Sequence, residues 1–334
     1  MEEGRSLGVS RLKVGLIAVL LVCCIVAVLV FLSLNSRPVQ DNVVPSRLDS
    51  IPVGAVKVVP DVDVYHPVLH SDLWFEPVPL GTGVNTAGAE DSPFVTADDA
   101  TLYFFFTPDV SVPVERQVAD GVTGIYVSKK VNGVWTVAER VVLQVSGKLA
   151  LDGAAFVQDG VMWFASAREG YTGVNLFTAE YKGGTWSDWQ YAGDRLVKDY
   201  QVGEMCLTPD GSELYFHSSR TGGLGGLDVW VTRKIGGEWQ TPENVAAVNT
   251  VGDEGWPYVT QDAKELWFTR TYLGSPAIYR SAMVNGTWME PELIISQFAG
   301  EPSVDGDGNI YFVHHFYTVD SRMIEADIYI ARRK

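Results

Sequence analysis

Carboxylates recur along this chain at the heads of short apolar segments. They are Glu90 and Asp91, Asp152, Glu204, Asp253 and Glu254, and Glu301. Side chains of this type can do three kinds of work. They can cap strand N–H groups or pair with arginines, here Arg168 in an S-A-R triplet and Arg220 in S-S-R. They can bind a cationic or sugar ligand, or a divalent ion, since oxygen ligands suit Ca²⁺ or Mg²⁺. They can also hydrolyse glycosides, where one carboxyl protonates the leaving oxygen and another, about 5–9 Å away, is base or nucleophile. Asp91, Asp152 and Glu204 would be that trio. The objection is that a repeat supplies like environments, whereas an acid and a base need unlike ones.

No competing chemistry is written elsewhere. There is no G-x-S-x-G, Walker A, H-E-x-x-H or CxxC. Asp305-Gly-Asp307-Gly-Asn309 starts like an EF-hand, but Ile310 and Phe316 fall where glycine and glutamate are required. It reads as a hairpin turn. His314 and His315 are adjacent in a strand, so their rings point to opposite faces and cannot share one ion. His217 reads as a core residue. Glycines 222–226 lack the Lys-Ser/Thr of a phosphate loop. Asn285-Gly-Thr287 is a glycosylation sequon that also satisfies a tight turn.

The carboxylates need a scaffold, and the chain repeats to supply one. Turns followed by tryptophan recur: VNGVW ending at Trp135, KGGTW at Trp186, IGGEW at Trp239 and VNGTW at Trp288. Asn-Gly and Gly-Gly are two-residue hairpin turns that need positive φ at both central positions. A fifth copy of the preceding strand, residues 328–333, ends the chain without turn or tryptophan. The missing piece stands at the other end, where Trp74-Phe75-Glu76-Pro77 matches Trp288-Met289-Glu290-Pro291. Residues 84–98 also align without gaps to 248–262, with nine of fifteen positions identical. Each unit reads as four antiparallel strands, and that period is a propeller blade. The reading is an all-β, five-bladed β-propeller over residues 73–334. Its last blade is closed by the N-terminal strand near Trp74.

Residues 207–245, LTPDGSELYFHSSRTGGLGGLDVWVTRKIGGEWQTPENV, resemble the PD40, or TolB-like (WD40-like), β-propeller repeat. The marks are Pro209-Asp210-Gly211, Ser219-Arg220, the glycine-rich loop, Asp228 and Trp239. The resemblance implies a propeller in an extracytoplasmic setting that serves as a scaffold or binding platform. In propeller topology the starts of the inner strands crowd one mouth of the central channel. The candidate binding set is therefore Glu90, Asp91, Asp152, Arg168, Glu204, Arg220, Glu254, Trp256 and Glu301, with Asp253 and Tyr258 at the same entrance.

The rest of the chain gives an address. Residues 14–35 carry no charge, and a helix of that length spans roughly 30 Å, the thickness of a hydrocarbon core. Arg5, Arg11 and Lys13 precede this run, and Arg37 and Arg47 follow it. The positive-inside rule places residues 1–13 in the cytoplasm and the rest outside. Cys23 and Cys24 lie in the run, either acylated or simply buried, and Cys206 is alone. Residues 36–72 carry regularly spaced prolines and read as an extended stem. A net charge of -16 excludes nucleic acid as a partner. The functional reading is a membrane-anchored binding module for a protein, peptide or glycan, without a cofactor unless Ca²⁺ sits at the mouth. A glycoside hydrolase or lyase, and a structural subunit of a surface assembly, are the alternatives.

Overall fold

The computed structural model describes residues 45–145, 147–197 and 202–334. The uncharged run 14–35 and its two cysteines lie outside them. Among the described residues no helix is long and apolar enough to cross a membrane.

Alternating apolar and small polar residues, cut by Gly and Asn turns, make strands, with only short helical turns such as Val114–Gln117 and Asp194–Val197 between them. Among the described residues the strands fall into five successive antiparallel units. The first is β1 (Ala89–Val95), β2 (Thr101–Thr107) and β3 (Gly124–Val131), with short outer pieces at Val134–Trp135 and Glu139–Arg140. The second is β4 (Ala150–Gln158), β5 (Val161–Arg168), β6 (Asn175–Lys182) and β7 (Thr185–Tyr191). The third is β8 (Val202–Leu207), β9 (Glu213–Ser218) and β10 (Asp228–Ile235), edged by Glu238–Trp239 and Glu243–Asn244. The fourth is β11 (Glu254–Val259), β12 (Glu265–Tyr272), β13 (Ser275–Val284) and β14 (Glu292–Ser296). The fifth is β15 (Ala299–Val304), β16 (Ile310–Tyr317) and β17 (Met323–Ala331). The predicted turns hold: Asn132-Gly133, Gly183-Gly184, Gly236-Gly237 and Asn285-Gly286 all have positive φ.

The first strands touch in the order β1, β4, β8, β11, β15 and back to β1, so the units form a closed ring. Residues from the beginning of the chain complete the fifth unit. Val78 and Pro79 pair antiparallel with Ile330 and Tyr329, and Trp74 bridges to Arg333.

The repeated tryptophan has a mechanical role. Each one packs edge-on against a second-strand aromatic of the preceding unit: Trp186 on Tyr103, Trp239 on Trp163, Trp288 on Tyr215, Trp74 on Trp267 and Trp135 on Tyr311. Centroids lie 5.6–6.2 Å apart at 70–88°. Such pairs contribute about 0.5–1.5 kcal/mol each beyond area burial. Trp74 closes the circle. It is buried, and its indole N–H donates to the Gly308 carbonyl at 2.8 Å. Trp74→Ala is expected to cost about 3–5 kcal/mol in urea unfolding. A loss below about 1 kcal/mol would show that the ring closes without it.

The stem departs from its expected form. From residue 45 it is not a spacer but a strap packed on the first and fifth units and then on the edge of the fourth. Arg47 is buried between the Glu90 carboxylate and the rings of Phe104, Phe106 and Tyr126. Lys57 pairs with Glu325 and Asp327. The Asp63 carboxylate meets His314 Nε2 at 2.8 Å, both side chains being almost fully buried. Val68 and Leu69 then pair with β14 as an added strand. Its prolines leave only two single 3-10 turns, Leu48–Ser50 and Pro60–Val62, and its charges found buried partners that spacing alone did not reveal.

Candidate functional site

The carboxylates do not form one ring; the strand geometry sorts them into two sets. Every first strand carries a bulge in the same place, between Asp91 and Phe94, Gly153 and Phe156, Val202 and Met205, Gly255 and Tyr258, and Gly300 and Ser303. At the bulge, Ser92, Ala154, Trp256 and Glu301 have φ of 47, 52, 53 and 56°. Left-handed backbone at a non-glycine residue costs about 1–3 kcal/mol and collects at functional sites. The bulge turns Ser92, Ala154, Glu204, Trp256 and Glu301 inward as a collar. These five residues line both the cavity at the mouth, of ≈ 190 Å³, and a smaller one of ≈ 40 Å³ beneath it.

The residue two places before the collar belongs to the other set. Glu90, Asp152 and Glu254 are fully buried, and each faces an arginine. Arg168 donates to Asp152 Oδ1 at 2.6 Å and stacks over Trp189. Arg270 donates to Glu254 Oε1 at 2.9 Å and to the Val248 carbonyl at 2.6 Å. The first unit lacks such an arginine of its own, and Arg47 of the strap fills the place. It donates to the Val84 carbonyl at 2.7 Å, Val84 being the aligned counterpart of Val248. Thr86 and Thr250 bond Glu90 and Glu254 in the same way. Burial, opposed by Arg47, still pushes the Glu90 carboxyl up to about 7. Arg220 likewise turns inward, donating to the Leu196 carbonyl and stacking on Phe216. Glu90, Asp152, Arg168, Arg220 and Glu254 are therefore taken up by buried contacts within their own unit, its connecting segment or the strap rather than presenting a charged mouth. Asp152 in particular is drawn away from Asp91 and Glu204, so the expected catalytic trio does not assemble.

A different trio does. Asp91, Glu204 and Glu301 converge at the axis. The Ser92 hydroxyl bonds both glutamates, at 3.2 Å to Glu204 Oε1 and 2.8 Å to Glu301 Oε2. Asp91 stands where the other four units have Gly153, Gly203, Gly255 and Gly300. A Cβ at Gly203 would fall 2.1 Å from the His217 ring. At Gly255 it would fall 3.0 Å from the same ring, while at Gly300 it would meet Thr269 only at 3.4 Å. In the first unit His315 faces the Asp91 side chain, Nε2 lying 3.8 Å from Asp91 Oδ2. One oxygen or nitrogen each from Asp91, Glu301 and His315 lies within 4.8 Å of the others, a spacing that could hold a cation. Among the described residues no lysine or arginine pairs with Asp91, Glu204 or Glu301.

The three acids differ in their electrostatics. Burial raises Asp91, but the His315 hydrogen bond and charge, Glu301 and the Ser92 N–H outweigh it and hold the group below its ordinary value. Burial, and then the charge of Asp91, lifts Glu204 to about 7. Burial, with the charges of Asp91 and Glu204, raises Glu301 well above the usual range. His217 lies under the collar and accepts the Trp256 N–H on Nδ1 at 3.2 Å. Burial lowers it to about 3, so it is neutral. The wall above is apolar, with Phe105, Leu151, Leu227, Phe298 and Met323.

His217 and His315 were not among the expected site residues. His315 does oppose His314, as strand alternation requires, but it points to the axis. Asp253 accepts the Leu227 N–H and lines the cavity rim, while the Tyr258 hydroxyl donates to the Val304 carbonyl below the collar. Cys206 is buried, and burial pushes its thiol up to about 12. Asp305 closes the expected hairpin turn through the Asp307 and Asn309 N–H groups.

Antiparallel units arranged in a ring about a channel, with one carboxylate cluster at the axis, define a β-propeller. No protein-family model and no curated protein matches the sequence. Solved structures similar to it include TolB from Acinetobacter baumannii, at 14% identity over 75% of this chain with a TM-score of 0.43. The chain spans 56% of that protein. An endo-arabinase from Bacteroides thetaiotaomicron is 13% identical over 77% of this chain and 97% of its own, TM-score 0.49. An α-L-arabinofuranosidase from Podospora anserina, solved with cellotriose, is 11% identical over 77% and 95%, TM-score 0.45.

Proposed function

We propose that the chain is a five-bladed, extracytoplasmic β-propeller, anchored through residues 14–35 with residues 1–13 in the cytoplasm, that works as a binding module. Its ligand is a cationic group carried by a protein, peptide or amino-bearing glycan and seated on Asp91, Glu204 and Glu301. The observation that carries this reading is the contrast between the two acidic sets. The blade-holding acids have arginines, while among the described residues no lysine or arginine pairs with the axial acids, which stand beneath an open, largely apolar-walled cavity. At ≈ 190 Å³ that cavity suits a side chain or a single sugar rather than a larger ligand. Calorimetry against arginine- and lysine-containing peptides and amino sugars tests it. Binding that survives Glu204→Gln with Glu301→Gln would remove the axis as the site.

A second reading, a glycoside hydrolase, is favoured by one observation. The axial acids sit in unlike environments, with Asp91 held low and Glu204 high, as a base and an acid require. Asp91 and Glu204 would take those roles, without Asp152. Sugar release from a polysaccharide panel, lost in Glu204→Gln, would establish this reading; no release would leave the binding module.

A further inference from the structure

We infer that the strap is also a membrane-contact surface: its exposed valines rest in the interfacial layer of the bilayer and turn the cavity face of the domain toward the lipid. The inference depends on residues 14–35 being the anchor proposed above.

The strap is built inside out. Arg47, Lys57 and Asp63 point inward, onto Glu90, onto Glu325 and Asp327, and onto His314. Leu48, Val53, Val56, Val59, Val62 and Val64 point outward; Val53 is fully exposed and Val56 is 83% exposed. A soluble surface segment places most of its apolar residues inward, and a cluster of exposed apolar residues marks a contact surface.

Position and reach select the occupant. The inward charges bind toward the mouth ends of strands in the first and fifth units, so residues 45–64 run along the rim of the cavity face there. Residues 36–44 alone separate the strap from the uncharged run, and that length of chain reaches at most about 35 Å. Strands of 6 to 10 residues make the domain roughly 20–33 Å tall. Swinging the opposite face to the bilayer would use nearly all of that reach. Presenting the strap uses little of it and buries the valines.

The contact is apolar. Asp49 and Asp61 are exposed beside the valines, and Lys57 is already paired with two carboxylates. Anionic lipid is therefore not needed, and salt does not release the strap. The ligand of the axial acids is then one presented at the membrane surface.

The test uses the full chain in phosphatidylcholine vesicles, with Cys23 and Cys24 changed to serine and Cys206 left buried. Val56→Cys and Val62→Cys carry an environment-sensitive fluorophore, and Glu238→Cys on the opposite face is the control. Spin-labelled lipid is expected to quench the two strap sites about threefold more than the control, as depth in the interface requires, at low and high salt alike. Equal, weak quenching at all three sites in protein that survives an alkaline wash overturns the docking and leaves the anchor standing. Release by the wash overturns both. A strap signal that shifts to an apolar environment with rising protein density while lipid quenching falls means the valines pair between copies, which also overturns the docking.

Discussion

Arg47→Ala is expected to cost the domain about 3–5 kcal/mol, since it leaves the buried Glu90 carboxylate without its charge partner. Glu90 is fully buried and Arg47 is 5% exposed, so water cannot replace the guanidinium. Two carbonyl acceptors, Gly83 and Val84, and three aromatic faces lose their partner in the same step. In thermal unfolding this is a fall on the order of 10 °C. Lysine does not rescue, because a point charge cannot reach two carbonyls and stack on the rings at once. Pairing the change with Glu90→Gln removes the stranded charge, and most of the loss returns. A loss under about 1 kcal/mol in Arg47→Ala would mean that Thr86 alone sustains Glu90. The same logic predicts that a chain beginning at residue 73 is far less stable than one beginning at 45.

The axial acids give the second large effect, with opposite signs for stability and binding. Glu204 and Glu301 have folded values above their unfolded ones. The folded state then holds protons that the unfolded state releases, so stability is greatest at low pH and falls as pH rises through about 7. From about pH 5 to 8 the Glu204 share alone is roughly 2–3 kcal/mol, and Glu301 adds to it in the same direction. Glu90 and Asp327, raised to about 7 and about 8, slope the same way. Asp91, held low, loses its contribution only well below this window. Glu204→Gln with Glu301→Gln should flatten the axial part of the slope in urea titrations at several pH values. A cationic ligand needs those charges, so its affinity should rise over the same interval in which stability falls. In the double variant it should drop at least about 100-fold at pH 8. An unchanged stability slope would show that these carboxyls titrate as exposed ones do.

Much of the scaffold was legible because its devices are local and repeated. The Asn-Gly and Gly-Gly turns, the tryptophan after each, and the match of Trp74 to Trp288 led to the ring and to its closure by Trp74. The site was legible only in part. Acids near the strand starts were visible, but a strand read without its bulge assigns neighbouring residues to the wrong faces. The signal was nevertheless present. The gapless match of 84–98 to 248–262 sets Glu90 against Glu254, Asp91 against Gly255 and Ser92 against Trp256. Read by column, it separates the arginine-paired acids from the axial ones and singles out Asp91 as the residue standing in a glycine column. The strap was illegible for another reason. Arg47, Lys57 and Asp63 meet partners 43, 268 and 251 residues away, and nothing in a proline-spaced segment announces such distant pairings.

The collar separates two burdens that most binding sites carry together. Tryptophan clamps, buried arginine pairs and turn glycines maintain the ring, and none of them is a collar residue. Natural variation has already placed Ser, Ala, Glu, Trp and Glu at the five collar positions on one backbone path. The ring is thus a five-letter cassette: rewriting Ser92, Ala154, Glu204, Trp256 and Glu301 as a set should re-target the pocket, to anions or to aromatic guests, and should take with it the pH slope that Glu204 and Glu301 impose on stability.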